Sequence, residues 1–252
     1  MKFASLGSGS NGNSTVVKTE STCIMIDCGF SLKQSINRLK YLDLRGDDID
    51  AILLTHEHSD HWIGVMPLAV KYRIPVFLTV GSRRAIKYDS TDLFRMIENY
   101  DKFTIGDLSI SPVPIPHDAA EPIQFIIKSK TVCFGVLTDL GHVTKYLIER
   151  YQLCDGLLLE ANYDKDMLSS GPYPLSLKRR IDSKWGHLGN DQVAEFFNTI
   201  NHQRIQHLLF GHISEKNNSP DKIKESIKRT SIDTNIIQFA CQDKISGWLH
   251  LK

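Results

Sequence analysis

Residues 53–65 read LLTHEHSDHWIGV, an apolar run that breaks into three histidines and two acids within six positions. Where a strand gives way to an irregular turn, His56 and His58 can converge on one cation while Asp60 and His61 turn toward a neighbouring position. Imidazole and carboxylate donors without thiolates suit zinc, manganese or iron. A histidine-rich surface loop is the bland alternative, and the density of ligating groups argues against it.

One loop cannot close two metal shells, so further donors must come from elsewhere in the chain. Three residues repeat one arrangement: His117 in PIPHDA, Asp139 in GVLTDLGH and His212 in LLFGHIS each follow an apolar, strand-like run. Strand-end loops commonly assemble sites, and beside the His/Asp cluster all three are expected to bind metal. His187, in GHLGNDQVAEFF, stands just ahead of a helical pattern whose expected cap is Asn190. Backbone N–H groups at a helix start attract phosphate, so His187 is a candidate general acid or a clamp on a phosphate group. The basic run SLKRRIDSK before it holds Lys178, Arg179 and Arg180. It is either a solvated helix face or a contact for a polynucleotide strand.

These residues need a scaffold that brings distant strand ends together. The chain has 252 residues, of which 41% are hydrophobic and 23% charged, enough for a large core. No linker, repeat or compositional shift appears, so a single domain over 1–252 is expected. Strands are expected in MKFASL, STVVKT and TCIMIDC, then a helix in SLKQSINRLKYL capped by Ser31, a strand in DAILLTH, a helix in WIGVMPLAVKYR and a strand in IPVFLT. A second block repeats the theme. Its strands lie in KFTIGDLSISPVPIPHDA, PIQFIIKSK and TVCFGVLTD, followed by alternating helices and strands from HVTKYLIERYQL onward. Two strand runs, each with helices after it, suit an α/β (α+β) protein of two sheets packed face to face with helices outside.

A formal net charge of +1 gives no global pull toward nucleic acid or anionic membrane, so any such partner must meet a local patch. Five scattered cysteines with no C-x-x-C pair argue against a disulfide framework and a thiolate zinc site. No apolar leader or long apolar run is present, so a cytoplasmic location with no membrane partner is expected.

The order H-x-H-x-D-H, then a lone His, Asp and His at successive strand ends, resembles the metallo-β-lactamase fold superfamily over essentially the whole chain. The strings GSGSNGNST, IDCGFS, THEHSDH, HDAAEPIQF, TDLGH, LEANYDKDML, GPYPLSLKRRIDSKWGHLGN and HISEKNN narrow the likeness to the WalJ/YycJ family of bacterial metallo-hydrolases. The resemblance implies a four-layer αββα sandwich holding two divalent ions, zinc or manganese, with iron a third choice. His56, His58 and His117 would hold the first, Asp60, His61 and His212 the second, and Asp139 would bridge them. Asp27, in MIDCGF, matches an acid that orients the metal loop.

The implied activity is phosphodiester hydrolysis by a hydroxide bridging the two ions, with Asp60 and His187 as catalytic residues. Within the family this means a 5′-to-3′ exonuclease acting on DNA in repair. The family pattern leads us to expect Ser, Tyr and Glu where Gly189, His142 and Lys216 stand. These departures leave the ligand set intact and bear on how substrate is held. The short stretch between Asp139 and His187 leaves no room for the large cap of β-CASP nucleases. The alternatives are a small-molecule phosphodiesterase, of cyclic-phosphate or nucleotide type, and a metal-binding module without turnover. Finally, GSGSNGNS at 7–14 lacks the Lys-Ser/Thr of a P-loop and precedes a strand-like run, which makes it a hairpin connection at the rim of the site. Ser10 and Asn11 there, with Lys178, Arg179, Arg180 and Asn190, are the expected substrate contacts.

Overall fold

Strand residues in this chain alternate between two cores, and that alternation builds the layers. In β1 (Lys2–Gly7), Phe3 enters a central core while Ala4 faces an outer one. The same period of two recurs in residues 51–54, where Ala51 and Leu53 point to the centre and Ile52 and Leu54 outward. The computed structural model describes residues 1–89 and 91–252. Its first sheet contains β1, β2 (Ser14–Lys18), β3 (Cys23–Ile26), β4 (Ala51–Leu53), β5 (Val76–Leu78) and β6 (Phe94–Met96). Its second contains β7 (Phe103–Ile105), β8 (Leu108–Pro114), β9 (Ile123–Lys128), β10 (Cys133–Leu137), β11 (Gly156–Glu160), β12 (His207–Gly211) and β13 (Ile237–Phe239). The final strand, β14 (Leu249–His250), returns to pair with β1, giving two seven-stranded sheets in the orders β14-β1-β2-β3-β4-β5-β6 and β13-β12-β11-β10-β9-β8-β7.

Each sheet is antiparallel in one half and parallel in the other, with the change at β3–β4 and at β10–β11. Parallel strands need crossovers, and the crossovers cover the outer faces. Helices α1 (Leu32–Lys40), α2 (Ser59–Trp62), α3 (Val65–Tyr72) and α4 (Val80–Ala85) belong to the first half. Helices α5 (Lys145–Tyr151), α6 (Lys165–Ser170), α7 (Leu175–Ile181), α8 (Asn190–Thr199) and α9 (Pro220–Ile227) belong to the second. Leu39 of α1 and Leu68 of α3 are buried in the core outside the first sheet, as are Leu147 of α5, Val193 of α8 and Ile223 of α9 outside the second. The result is the expected four-layer αββα sandwich. The strand ends that carry His56, His117, Asp139 and His212 are the carboxyl ends of β4, β8, β10 and β12, the edge where α/β sheets place their ligands.

Local signals explain most helix limits. Ser31 caps α1 with a full capping box to Gln34. Pro67 sits in the first turn of α3, where its missing N–H breaks no helical bond. Three expectations need correcting. The helix expected to begin at an Asn190 cap has Gly189 as its N-cap, and Asn190 is its first residue. The stretch between Asp139 and His187 contains three helices, α5, α6 and α7, rather than one. The short β6 and α4 had no clear sequence pattern, because each is brief and two of the three β6 residues are exposed. Among the described residues, no helix is long and apolar enough to cross a membrane.

Two glycines let the metal loop close against the first sheet. A Cβ on Gly29 would lie 1.7 Å from the Asp60 carbonyl oxygen, and one on Gly64 would lie 1.9 Å from that of Phe30. Backbone bonds lace the same surfaces: Cys28 N–H donates to His61 O (2.8 Å), Asn13 N–H to Asp60 O (2.7 Å) and Gly64 N–H to Cys28 O (2.8 Å). Gly29→Ala is expected to push the loop outward, at a cost of about 1–3 kcal/mol as in other overpacked sites. Thermal denaturation and metal content by atomic emission should both fall. A variant that keeps the melting temperature and metal load of the parent would show that this contact does not set the loop.

Candidate metal centre

The loop after β4 carries the densest donor set. His56 is fully buried; its Nδ1 is 2.9 Å from Thr55 Oγ1, while Nε2 has no hydrogen-bond partner among the described residues. His58 ends the extended segment before α2, and its Nδ1 lies 3.3 Å from Nε2 of His117. Donor atoms of His56, His58 and His117 all lie within 4.8 Å of one another, and so do those of Asp60, His61 and His212. Asp139 joins the two trios. Its donor atom groups with those of His56 and His61, and its carboxylate is 3.4 Å from Nε2 of both His61 and His212. The residues expected to hold one ion, those expected to hold the other and Asp139 are therefore brought together.

Two buried carboxylates hold the imidazoles from behind. Asp27 accepts from Thr55 N–H (2.8 Å) and Thr55 Oγ1 (2.8 Å), and its Oδ2 is 2.7 Å from His61 Nδ1. Glu160 is fully buried; its Oε1 lies 2.8 Å from His187 Nδ1 and 2.9 Å from His212 Nδ1. Its Oε2 accepts from the backbone N–H groups of Leu140 (3.2 Å) and Leu188 (2.9 Å). With both oxygens engaged, Glu160 works as a clamp on two rings rather than as a ligand. A carboxylate on the far nitrogen fixes ring orientation and raises ligand basicity. Sequence reasoning missed Glu160, although it ends the apolar run GLLLE just as Asp139 ends its own. Asn13, in the GSGSNGNS stretch, reaches the metal loop: its Nδ2 is 3.2 Å from both Asp60 Oδ2 and His61 Nε2.

The backbone turns sharply at three of these strand ends. Asp27, Asp139 and His212 adopt left-handed conformations, with φ of 57°, 58° and 51°. Such positions cost on the order of 1–3 kcal/mol each and cluster where function needs them. Ser8 Oγ accepts the His212 N–H at 2.8 Å and donates to Asn13 Oδ1 at 3.1 Å, so the GSGSNGNS loop steadies both metal-loop and His212 ends of the site.

Charge divides the donors. Burial holds His56 well below the ordinary imidazole range and lowers His117 as well, so both are neutral and ready to ligate. Burial would also depress His61 and His212, but the nearby Asp139 carboxylate outweighs it, aided by Asp27 for His61 and by Asp60 and Glu160 for His212, and both rings are raised well above that range. Burial opposes ionisation of Asp139, yet the His212 and His61 charges keep it well below the usual carboxylate range. Without a cation, then, protons on His61 and His212 supply the positive charge that Asp139 and Asp60 require.

Above the donors lies a cleft of about 320 Å³ whose walls include Ser10, Tyr173, Arg180, His187 and Ser214. Arg180 pairs with Asp118 at 2.6 Å. Of the expected substrate contacts, Ser10 and Arg180 reach this cleft. Lys178 instead donates from Nζ to Ser169 O (2.7 Å), and Arg179 is exposed on another face of α7. Helical spacing explains the split: Leu177, Arg180 and Ile181 share the face turned to the cleft. Asn11 points its N–H at Gln242 Oε1 (2.8 Å), and Asn190 is buried against Asn218 (2.9 Å) rather than capping α8. Trp62 packs near Phe94 and Tyr88, under the loop.

The donor set fits divalent ions on an observation of the protein itself. His56 Nε2, His212 Nε2 and Asp139 Oδ2 are buried, converge on one region and lack hydrogen-bond partners among the described residues. Comparison with known proteins agrees. Residues 22–213 match the Beta-lactamase superfamily domain. The chain is 35% identical to exodeoxyribonuclease WalJ of Streptococcus pneumoniae, over 92% of this chain and 87% of that protein. It is 31% identical to exodeoxyribonuclease YycJ of Bacillus anthracis, over 91% and 88%. The metallo-β-lactamase fold protein YhfI from Bacillus subtilis superposes with a TM-score of 0.75 at 15% identity, covering 97% of each chain. The chain belongs to the β-lactamase superfamily and, within it, to the WalJ/YycJ family. It is a metal-dependent hydrolase.

The charge pattern makes metal loading pH-dependent with a definite sign. A raised imidazole pKa stabilises the metal-free fold below about pH 6.5, the unfolded value, and that contribution fades as pH rises through the folded value. A cation at Asp60, His61 and His212 must displace the Nε2 protons that produce it; one at His56 and His117 displaces none from those two rings. Calorimetric titration in two buffers should show the second ion binding more tightly with rising pH and releasing protons, and the first with a weaker dependence. Equal pH dependence for both ions would contradict the assignment of charge.

Proposed function

We propose that this chain is a two-metal-dependent 5′-to-3′ exonuclease acting on DNA in repair, in the cytoplasm. The observation that carries it is two adjacent donor trios sharing Asp139 on the floor of an open cleft with a guanidinium in its wall. The exodeoxyribonuclease names of its relatives support the substrate class. His56, His58 and His117 would hold one ion, and Asp60, His61 and His212 the other, with zinc or manganese suiting imidazole and carboxylate donors. When bound, a pair of such ions supplies an activated water and neutralises charge developing on phosphoryl oxygens.

The protein's own residues do the rest. Arg180 offers a fork of donors to a phosphate group in the cleft, and its bond to Asp118 fixes the side chain. Glu160 engages Nδ1 of His187, so His187 exchanges its second proton at Nε2, on the cleft side. There it protonates the leaving oxygen, a role worth about 10²–10⁴ in rate. Asp27 holds His61 from behind through Nδ1, and Asn13 donates from Nδ2 to Asp60 Oδ2 beside it, so neither side chain need reorganise during the reaction.

The test is a panel of 5′-labelled single- and double-stranded DNA, RNA and bis(p-nitrophenyl) phosphate, each with zinc or manganese. The proposal predicts release of the 5′ label from DNA in small products at the first cleavage, with no ladder of labelled intermediates. Asp139→Ala and His58→Ala should abolish it, and His187→Ala should lower kcat by about 10²–10⁴. Turnover of the small phosphodiester alone would make the chain a small-molecule phosphodiesterase, and bound metal with no turnover of any substrate would make it a binding module.

A further inference from the structure

A second cavity, of about 460 Å³, opens beside the metal cleft, and Ser10, Tyr173 and Ser214 line both, so the two are continuous. The far part of this groove is bounded by Lys216, Phe239 and Cys241. We propose that the groove binds the stretch of a single DNA strand beyond the two nucleotides that flank the scissile phosphate, with a backbone phosphate at Lys216. This rests on the nuclease reading above and adds to it the path of the strand.

Three features point to such an occupant. The first is rigid registration with the metal centre. Ser8 Oγ receives the His212 N–H at 2.8 Å, while Gln242 bonds Asn11 N–H at 2.8 Å through Oε1 and Gly12 O at 2.9 Å through Nε2. The GSGSNGNS loop and the segment around residue 242 thus form one wall fixed relative to the ligands, and preorganised walls lower the cost of binding. The second is size, since the volume falls in the range of about 300–1,000 Å³ that encloses a small organic unit such as one nucleotide. The third is chemistry. An exposed ammonium on Lys216 and the half-buried aromatic ring of Tyr173 form the pairing that binds single strands without reading sequence. Glu215 also borders the groove, which confines the phosphate to the Lys216 side. Arg180 in the cleft and Lys216 in the groove then mark two points along the strand.

Cys241 provides the reporter. It is exposed in the groove wall, whereas Cys23, Cys28 and Cys154 are buried and Cys133 is partly buried. The experiment follows maleimide alkylation of Cys241 in the metal-loaded protein by peptide mapping, with phosphorothioate-linked DNA that resists cleavage. An octanucleotide at about ten times its Kd should slow alkylation roughly tenfold, and a dinucleotide, held in the cleft alone, should leave the rate unchanged. Lys216→Gln should weaken octanucleotide but not dinucleotide binding, and should flatten the dependence of log affinity on log salt by about 0.7, the share of one single-strand phosphate. An octanucleotide that binds, by anisotropy, without protecting Cys241 overturns the proposal. So does equal protection by the dinucleotide. Failure of every oligonucleotide to bind overturns the nuclease reading itself. The labelling arm uses the unaltered chain, so the outcome does not depend on whether Lys216→Gln folds.

Discussion

Three buried atoms without hydrogen-bond partners, His56 Nε2, His212 Nε2 and Asp139 Oδ2, impose the constraint on which the rest of the architecture depends. Asp139 and His212 offset part of that burial by their charges, 3.4 Å apart, whereas His56 Nε2 has no partner among the described residues, at a cost of about 1–3 kcal/mol that a bound cation would offset. Everything nearby keeps these atoms aimed at one another. The strands deliver them from both sheets, left-handed residues turn the chain at their ends, and glycines allow the metal loop to lie flat on the first sheet.

The two halves of the sandwich solve the same problem in matching ways. At the exit of β3, Asp27 engages the Nδ1 side of His61; at the exit of β11, Glu160 engages the Nδ1 side of His212. Each sheet therefore contributes one imidazole of the second donor trio and the carboxylate that orients it. The rings meet at Asp139, whose ionised form their charges favour. Glu160 differs in also engaging His187, which ties the proposed acid to the same framework as His212. A change at Glu160 would thus disturb metal geometry and proton transfer together.

The repeated pattern of a polar residue after an apolar run made His56, His58, His117, Asp139 and His212 visible in the sequence, and two runs of strands, each followed by helices, made the two-sheet architecture visible. What stayed hidden had physical reasons. Glu160 looked like an ordinary strand-end acid, because its value comes from rings 27 and 52 positions away in sequence. The basic run of α7 could not be divided from composition alone, since only the phase of the helix separates Arg180 from Lys178 and Arg179. Asn190 looked like a helix cap by residue type, yet Gly189 takes that place and Asn190 pairs with Asn218 in the interior.

The most direct measurement is a crystal structure of the metal-loaded protein with anomalous data at the edge of the bound element. The account predicts two ions, one held by His56, His58 and His117 and one by Asp60, His61 and His212, with the Asp139 carboxylate touching both. A single ion, or an ion coordinated by Glu160 and His187, would contradict it.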